Sequence, residues 1–311
     1  MKVTRVPRSN RFHTWRTIVK DWDLYLLLVP GLLFLFLLKY TPMYGLIIAF
    51  QDFSIFKGIG GSAWVGLKHF ERLVVNEQFF NVLTNTLLIS SYKLMFLFPA
   101  PIIVAILLNE IRKMMFKRIV QSVIYLPHFI SWVIISGLFV NLLSLNDGIV
   151  NTILAKLGAE RIAFFMDQNV FRGLLVLTEG WKEIGWGTII YLAAIAAIDP
   201  QLYEAAKMDG ANKLQQMIHV TLPSIFSTIV LMLILRLGNM LEAGTEQILV
   251  MYNPVVYDVS DVIGTYVYRV GIGASDYSFS TAVGMFESIV AFTLVVSGNA
   301  LCKKFLGRSI W

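Results

Sequence analysis

Apolar residues run along this chain in long unbroken stretches, not in alternation. Six of these stretches read as membrane-crossing helices: Leu24 to Phe50, Val82 to Leu108, Ile119 to Leu145, Phe171 to Ile198, Leu222 to Leu241 and Thr281 to Leu301. A hydrocarbon core of about 30 Å is crossed by about 20 apolar residues in helical form, and every stretch meets that length. A barrel strand needs only about 10 residues and alternates apolar with polar side chains. The expected fold is therefore all-α and polytopic, with six transmembrane helices. Pro30, Pro42, Pro99 and Pro101 fall inside the first two stretches and predict kinks or helix ends there.

The polar connections give the orientation. Lys and Arg collect in the N-terminal arm (Lys2, Arg5, Arg8, Arg11, Arg16, Lys20), the second connection (Arg112, Lys113, Lys117, Arg118), the fourth (Lys207, Lys213) and the tail (Lys303, Lys304, Arg308). These segments carry fifteen positive charges, against six in the alternate connections (Lys57, Lys68, Arg72, Lys156, Arg161, Arg269). Positive connections stay on the cytoplasmic side, so both termini are expected there, in a cell membrane crossed several times. The chain divides into a basic cytoplasmic arm, residues 1–23, and a membrane domain, residues 24–311.

Composition agrees: 57% of residues are hydrophobic and 15% charged, with a mean hydropathy of +0.68, which calls for lipid as solvent. The net charge of +6 then reflects topology, and no basic-aromatic patch points to nucleic acid. A signal peptide would explain a basic arm before Leu24 to Leu38, but no small-residue cleavage site follows, so a retained first helix is expected. Cys302 is the single cysteine, which excludes an intrachain disulfide. Three outer segments, Gln51 to Asn81, Asn146 to Val170 and Ala243 to Ser280, are long enough to offer a partner a surface.

The densest local pattern is Glu204-Ala205-Ala206-Lys207-Met208-Asp209-Gly210-Ala211, followed by Val220-Thr221-Leu222-Pro223. Leu202 to Met208 is Ala-rich, with Glu early and Lys late as the helix dipole favours. Asp209-Gly210 supplies a turn, and Lys213 to His219 predicts a second short helix ended at Leu222-Pro223. A plain cytoplasmic hairpin would account for the helices and the turn but would not require these identities over twenty positions.

Those residues resemble the EAA loop of binding-protein-dependent ABC importer permeases, with Val220 for the usual Ile and Met217 for a frequent Phe. The resemblance extends to the carbohydrate-type, LplB-like permeases related to those of maltose transporters. It rests on Tyr40-Thr-Pro-Met-Tyr44, Ser62-Ala-Trp-Val-Gly-Leu-Lys-His-Phe70, Trp181-Lys-Glu-Ile-Gly-Trp-Gly187 and Tyr252-Asn-Pro-Val-Val-Tyr257, and covers most of residues 24–300. Gly264 departs from it where an acidic residue is expected. The resemblance implies a type I importer (MetI-like) permease fold that imports oligosaccharides by alternating access. It implies a second, homologous permease, two ABC ATPase subunits and an extracellular solute-binding protein as partners. The coupling loop would be residues 199–223, with Glu204, Ala205, Ala206, Asp209, Gly210, Ala211, Leu222 and Pro223 engaging an ATPase. No Gly-rich segment ends in Gly-Lys-Ser or Gly-Lys-Thr, so ATP and Mg would be bound by the partner subunits, and this chain would carry no cofactor and no enzyme activity. His13, His69, His128 and His219 lack metal-ligand spacing.

Charges inside the apolar stretches have two readings. A charge near the bilayer centre costs about 2.5–3.5 kcal/mol or more unless it faces protein or water. Lys93 is placed near the midplane, Arg236 comparably deep, and Lys182, Glu183 and Glu287 nearer the outer side. They pair internally or snorkel, or they line a path. The second reading groups Lys93, Trp181, Lys182, Glu183, Trp186, Tyr191, Arg236 and Asn239, with aromatic faces for sugar rings and cations for acidic saccharides such as uronate oligomers. An ion-gradient-driven secondary transporter is the alternative function. It predicts inverted repeats, and no internal repeat is evident. A membrane sensor would normally add a soluble signalling domain.

Overall fold

The computed structural model describes residues 20–307, so the basic arm lies, up to residue 19, outside the described residues. Two compact units divide the chain after Gly66.

The first unit begins with helix α1 (Trp22–Leu35). It continues through a π turn (Phe36–Tyr40) and a 3-10 stretch (Tyr44–Phe50). Leu27, Leu32 and Phe36 are all exposed, an apolar surface on every face. Two short strands, β1 (Gln51–Asp52) and β2 (Ala63–Trp64), then pair antiparallel with Gln51 opposite Trp64. Phe50 stacks on Trp64 at 5.7 Å and closes the hairpin.

The second unit holds the remaining spans. After α2 (Lys68–Val74), helices α3 (Glu77–Leu97) and α4 (Pro99–Asn109) form one kinked span, with Pro99 starting α4 where the prolines predicted a break. The stretch predicted as a single third helix is instead α5 (Met114–Tyr125) and α6 (Trp132–Leu143), bent by 104°. Pro127 begins a 3-10 turn between them and Ser131 restarts the chain as an N-cap, bonding the Ile134 amide. Helix α7 (Ile149–Lys156) follows in the connection expected on the outer side. There the buried Asn151 donates to the carbonyls of Leu143, Ser144 and Ile162 and accepts from the Ile162 amide, tying that connection down.

Helix α8 (Gln168–Ala196) is 29 residues long and bends by 72° into α9 (Pro200–Met208). Counted with both bent pairs, the candidate spans among the described residues number six. A Cβ on Gly185 of α8 would stand 1.9 Å from the Ile124 carbonyl oxygen. Only glycine lets α5 end against α8, the close backbone approach that small residues provide between membrane helices.

The second short helix expected over Lys213 to His219 is α10 (Lys213–Gln216). It does not stop at Leu222-Pro223 but passes through a π turn (Met217–Thr221) into α11 (Leu222–Gly238). Pro223 cannot donate a backbone bond and crowds the carbonyl four residues back, and the wider π turn accommodates both defects. α11 ends at Gly238, three residues short of the predicted span. Ala243 and Gly244 then take left-handed backbone conformations and turn the chain inward.

The segment after this turn, expected as an outer loop, is a set of short helices that re-enters the unit: α12 (Thr245–Met251), α13 (Tyr257–Ser260) and α14 (Ile263–Tyr268). Gln247, Ile248, Val256, Ser260, Val262, Ile263 and Thr265 are all fully buried. Their backbone is held by side chains of α3 and α8: Thr86 accepts from the Ile263 amide, Asn85 donates to the Asp258 carbonyl, and Arg172 donates to Val259. Gly264 lies in this segment, where a Cβ would meet the Thr245 hydroxyl at 2.0 Å. The missing acidic residue is thus a packing requirement of α12 on α14. Asp261 supplies a buried carboxylate three residues away, bonded to Thr265 and Arg269. Helix α15 (Tyr277–Leu306), capped by Asp276, completes the unit.

Candidate functional site

The site grows from three charged side chains on three helices. Lys93 stands at the middle of the Glu77–Asn109 span. Its side chain is 2% exposed. It pairs with Glu179 of α8 and donates to Gln247 Oε1 at 2.6 Å and to the Ala243 carbonyl at 2.8 Å. Glu179 is shared: its second oxygen accepts from Arg236 Nη2 at 2.8 Å. Arg236 occupies the last turn of α11, with a 44% exposed side chain. Two cations thus flank one buried carboxylate, the arrangement that offsets the cost of placing its charge in an apolar interior.

The elbow at Ala243 and Gly244 is built around the same cluster. A Cβ on Gly244, whose φ is +77°, would stand 2.4 Å from Lys93 Nζ. The backbone must be left-handed there to present the Ala243 carbonyl to the ammonium, and only glycine leaves room for it. Gln247 completes the arrangement by donating to the Leu175 carbonyl and the Thr178 hydroxyl, both at the level of Glu179.

Beside the cluster opens a cavity of about 440 Å³. Its walls include Lys93, Glu179, Glu183, Trp186, Tyr191, Arg236, Asn239 and Glu242. Six of the eight residues grouped from the sequence thus meet around one space. Trp181 and Lys182 do not line it. Trp181 lines a second cavity of about 740 Å³ with Arg172 and makes an edge contact with Phe139. Lys182 is buried at the broken third span, where its ammonium donates to the carbonyls of His128 (2.5 Å) and Ile130 (2.7 Å). It lies at the middle of α8, where the break between α5 and α6 frees those carbonyls and the lysine satisfies them.

The aromatic wall is preorganised. The His128 ring lies flat against Trp186, 4.3 Å between centroids and 1° between planes. Glu183 Oε2 holds the histidine from behind, 2.9 Å from Nδ1. The sequence alone does not single out Glu179, Gln247, His128 or Glu242 for this site. Glu179 is detectable in it, being a carboxylate three residues before Lys182 inside an apolar stretch. The others sit in segments whose approach to the cavity depends on the bend at Pro127 and the turn at Ala243.

On the far end of the same helix lies the Glu204 to Pro223 segment. Asp199 caps α9 through the Gln201 amide at 2.9 Å. Asn212 and Gln215 form a reciprocal capping box on α10. Gly210, at φ +79°, makes the turn between them. The Tyr203 and Thr221 hydroxyls lie 2.9 Å apart and brace α9 against the π turn. Glu110, at the end of α4, pairs with Lys213 at 2.7 Å. Glu204, Ala205, Asp209 and Gly210 are exposed, flanked by exposed Leu202, Met208 and Leu214. Exposed apolar side chains beside an ordered polar helix are a pattern that docking surfaces share.

Residues 98–305 match the family described as binding-protein-dependent transport system inner membrane component. The chain is 50% identical to YteP of Bacillus subtilis (strain 168), a polygalacturonan/rhamnogalacturonan transport system permease protein, over 94% of this chain and 92% of that one. It is 46% identical to the protein LplB of the same organism, with the same two coverages. Among solved structures, it matches a chain of a bacterial ABC transporter involved in the import of the acidic polysaccharide alginate. That match has a TM-score of 0.87 and 40% identity, over 94% of this chain and 99% of that one. A second structure of the alginate transporter, in complex with alginate pentasaccharide-bound periplasmic protein, matches at 39% identity and TM-score 0.87, over 95% and 99% of the two chains. With two-thirds of its length inside the family match and close relatives along nearly all of it, the chain belongs to the inner membrane components of binding-protein-dependent transport systems.

Proposed function

We propose that this chain is one of two permease subunits of an ABC importer that carries uronate-containing oligosaccharides inward. One observation carries this reading: a single helical span, Lys213–Gly238, bears Arg236 at the cavity and the docking segment at its opposite end. The relatives support the substrate class, since YteP is named for polygalacturonan and rhamnogalacturonan and the alginate transporter for an acidic polysaccharide. Within the cavity, Trp186 offers a ring face to a pyranose and Arg236 a guanidinium to its carboxylate.

Glu204 engages a basic residue in a groove of the ATPase, while Ala205 and Ala206 keep the helix surface shallow and Gly210 sets the turn. ATP and Mg are bound by the ATPase subunits, and this chain supplies no hydrolytic group. Closure of the ATPases moves α9 and α10, and the braces at Tyr203–Thr221 and Glu110–Lys213 pass that movement to α11 and α4. Both termini and the docking segment face the cytoplasm, a reading that the Lys and Arg distribution supports.

The test is reconstitution with a partner permease, ATPases and binding protein, followed by ATPase assay with saccharides. Oligogalacturonate or oligoalginate is expected to stimulate hydrolysis and to be taken up. Stimulation by neutral oligosaccharides alone would overturn the acidic class, and no dependence on any saccharide would overturn the reading as a whole.

A further inference from the structure

The cavity that is proposed to admit an acidic saccharide is not itself cationic. Its charged walls are Lys93 and Arg236 on one side of the balance and Glu179, Glu183 and Glu242 on the other. Lys93 is enclosed and its three partners use its donors. Lys182 is occupied by the backbone of the broken span. Arg236 differs: a guanidinium has five N–H donors, one of its nitrogens is bonded to Glu179, and nearly half of the side chain is open. Glu183 and Glu242 repel an entering carboxylate, so the one accessible cation among the cavity's described walls decides whether it is held.

We infer that Arg236 is the specificity-determining residue for acidic saccharides, and that it acts by exchange, passing its guanidinium from Glu179 to the sugar carboxylate. The exchange is feasible because Glu179 has two cations. When Arg236 leaves, Lys93 still pairs with the carboxylate, and no buried charge is orphaned. Without Lys93 the same step would strand an anion in the interior. The exchange also has a mechanical consequence. The Arg236–Glu179 pair ties the C-terminal end of α11 to α8, and the helical span from Gly238 continues through the π turn and α10 to Lys213 in the docking segment, 26 residues or about 39 Å at 1.5 Å per residue. A bound carboxylate releases that tie, so an occupied cavity loosens the helix on which the ATPases act.

This inference rests on the importer reading above, and the experiment separates the two. In proteoliposomes holding the complete complex, uptake of a short oligogalacturonate is compared with uptake of the same oligosaccharide after reduction of its carboxyls to alcohols. Arg236→Gln is expected to lower the acidic-to-neutral uptake ratio about tenfold, as the loss of a charge-assisted bond does, and to raise ATPase activity in the absence of saccharide. Arg236→Lys, which keeps the charge but not the planar fork, is expected to fall between. Equal loss for both substrates, or an unchanged ratio, would overturn the exchange and leave Arg236 as a structural partner of Glu179. A wild-type complex that takes up neither form would instead count against the importer reading.

Discussion

At the residue scale, the decisive group draws its partners from distant parts of the sequence. Glu179 receives Lys93 from 86 positions earlier and Arg236 from 57 positions later. Lys93 and Arg236 are conspicuous in the sequence as charges in apolar stretches. That a single carboxylate consumes both cannot be read without the packing of α3, α8 and α11. The cluster therefore makes a stability prediction distinct from its role in transport. Lys93→Met leaves the Ala243 carbonyl and Gln247 without a donor and Glu179 with one cation, and is expected to cost about 3–5 kcal/mol. The double variant Lys93→Met with Glu179→Leu removes both buried charges and is expected to recover much of that loss. Thermal unfolding of the purified chain in detergent checks both. A single variant as stable as the wild type would show that the ammonium contributes nothing.

At the element scale, the sequence foretells that helices exist and where several of them start. Asn76, Asp167, Asp199, Asn212 and Asp276 all cap helices through backbone amides, and each is a residue type that favours that position. The break at Pro99 is legible in the sequence, but the bend of the third stretch is not. The α5–α6 stretch is apolar throughout, and hydropathy is blind to a 104° turn whose freed carbonyls are met by Lys182, a residue 52 positions away. The segment from Ala243 to Ser280 reads as a loop because its helices are too short for periodicity to register, yet it fills the core between α3, α6 and α8. Gly264→Ala is accordingly expected to destabilise by about 1–3 kcal/mol through overpacking. Thr245→Ala in the same chain, which deletes two of the three atoms met by the new Cβ, is expected to restore part of it. Cysteines placed at Ile248 or Val262 should resist a membrane-impermeant maleimide added from either side; rapid labelling would return this segment to an ordinary loop. For the docking segment, Glu204→Ala and Gly210→Val are expected to leave the chain inserted in the membrane but to abolish co-purification with the ATPases or to cut uptake at least tenfold. Normal uptake would remove the coupling role.

At the scale of the whole molecule, the charge distribution and the docking segment make the same claim by independent routes. Fifteen positive charges against six predict a cytoplasmic side for residues 110–118 and 199–223, the side from which ATPase subunits would reach Glu204 in the proposed importer. A topology experiment checks both at once. With the natural thiol removed as Cys302→Ser, Phe56→Cys and Met208→Cys each place one reactive group on a fully or largely exposed position. An impermeant reagent added outside is expected to label position 56 in right-side-out vesicles and to miss position 208, and inverted vesicles are expected to reverse the pattern. Labelling of position 208 from outside would put the segment on the wrong side for ATP-driven coupling. The family membership would then stand on sequence while the mechanism proposed for Arg236 and α11 would lose its drive. Labelling from inside leaves one helix with the energy source at Lys213 and the substrate at Arg236, so that transport depends on how stiffly the intervening turns of α11, beginning at the π turn before Pro223, transmit movement between them.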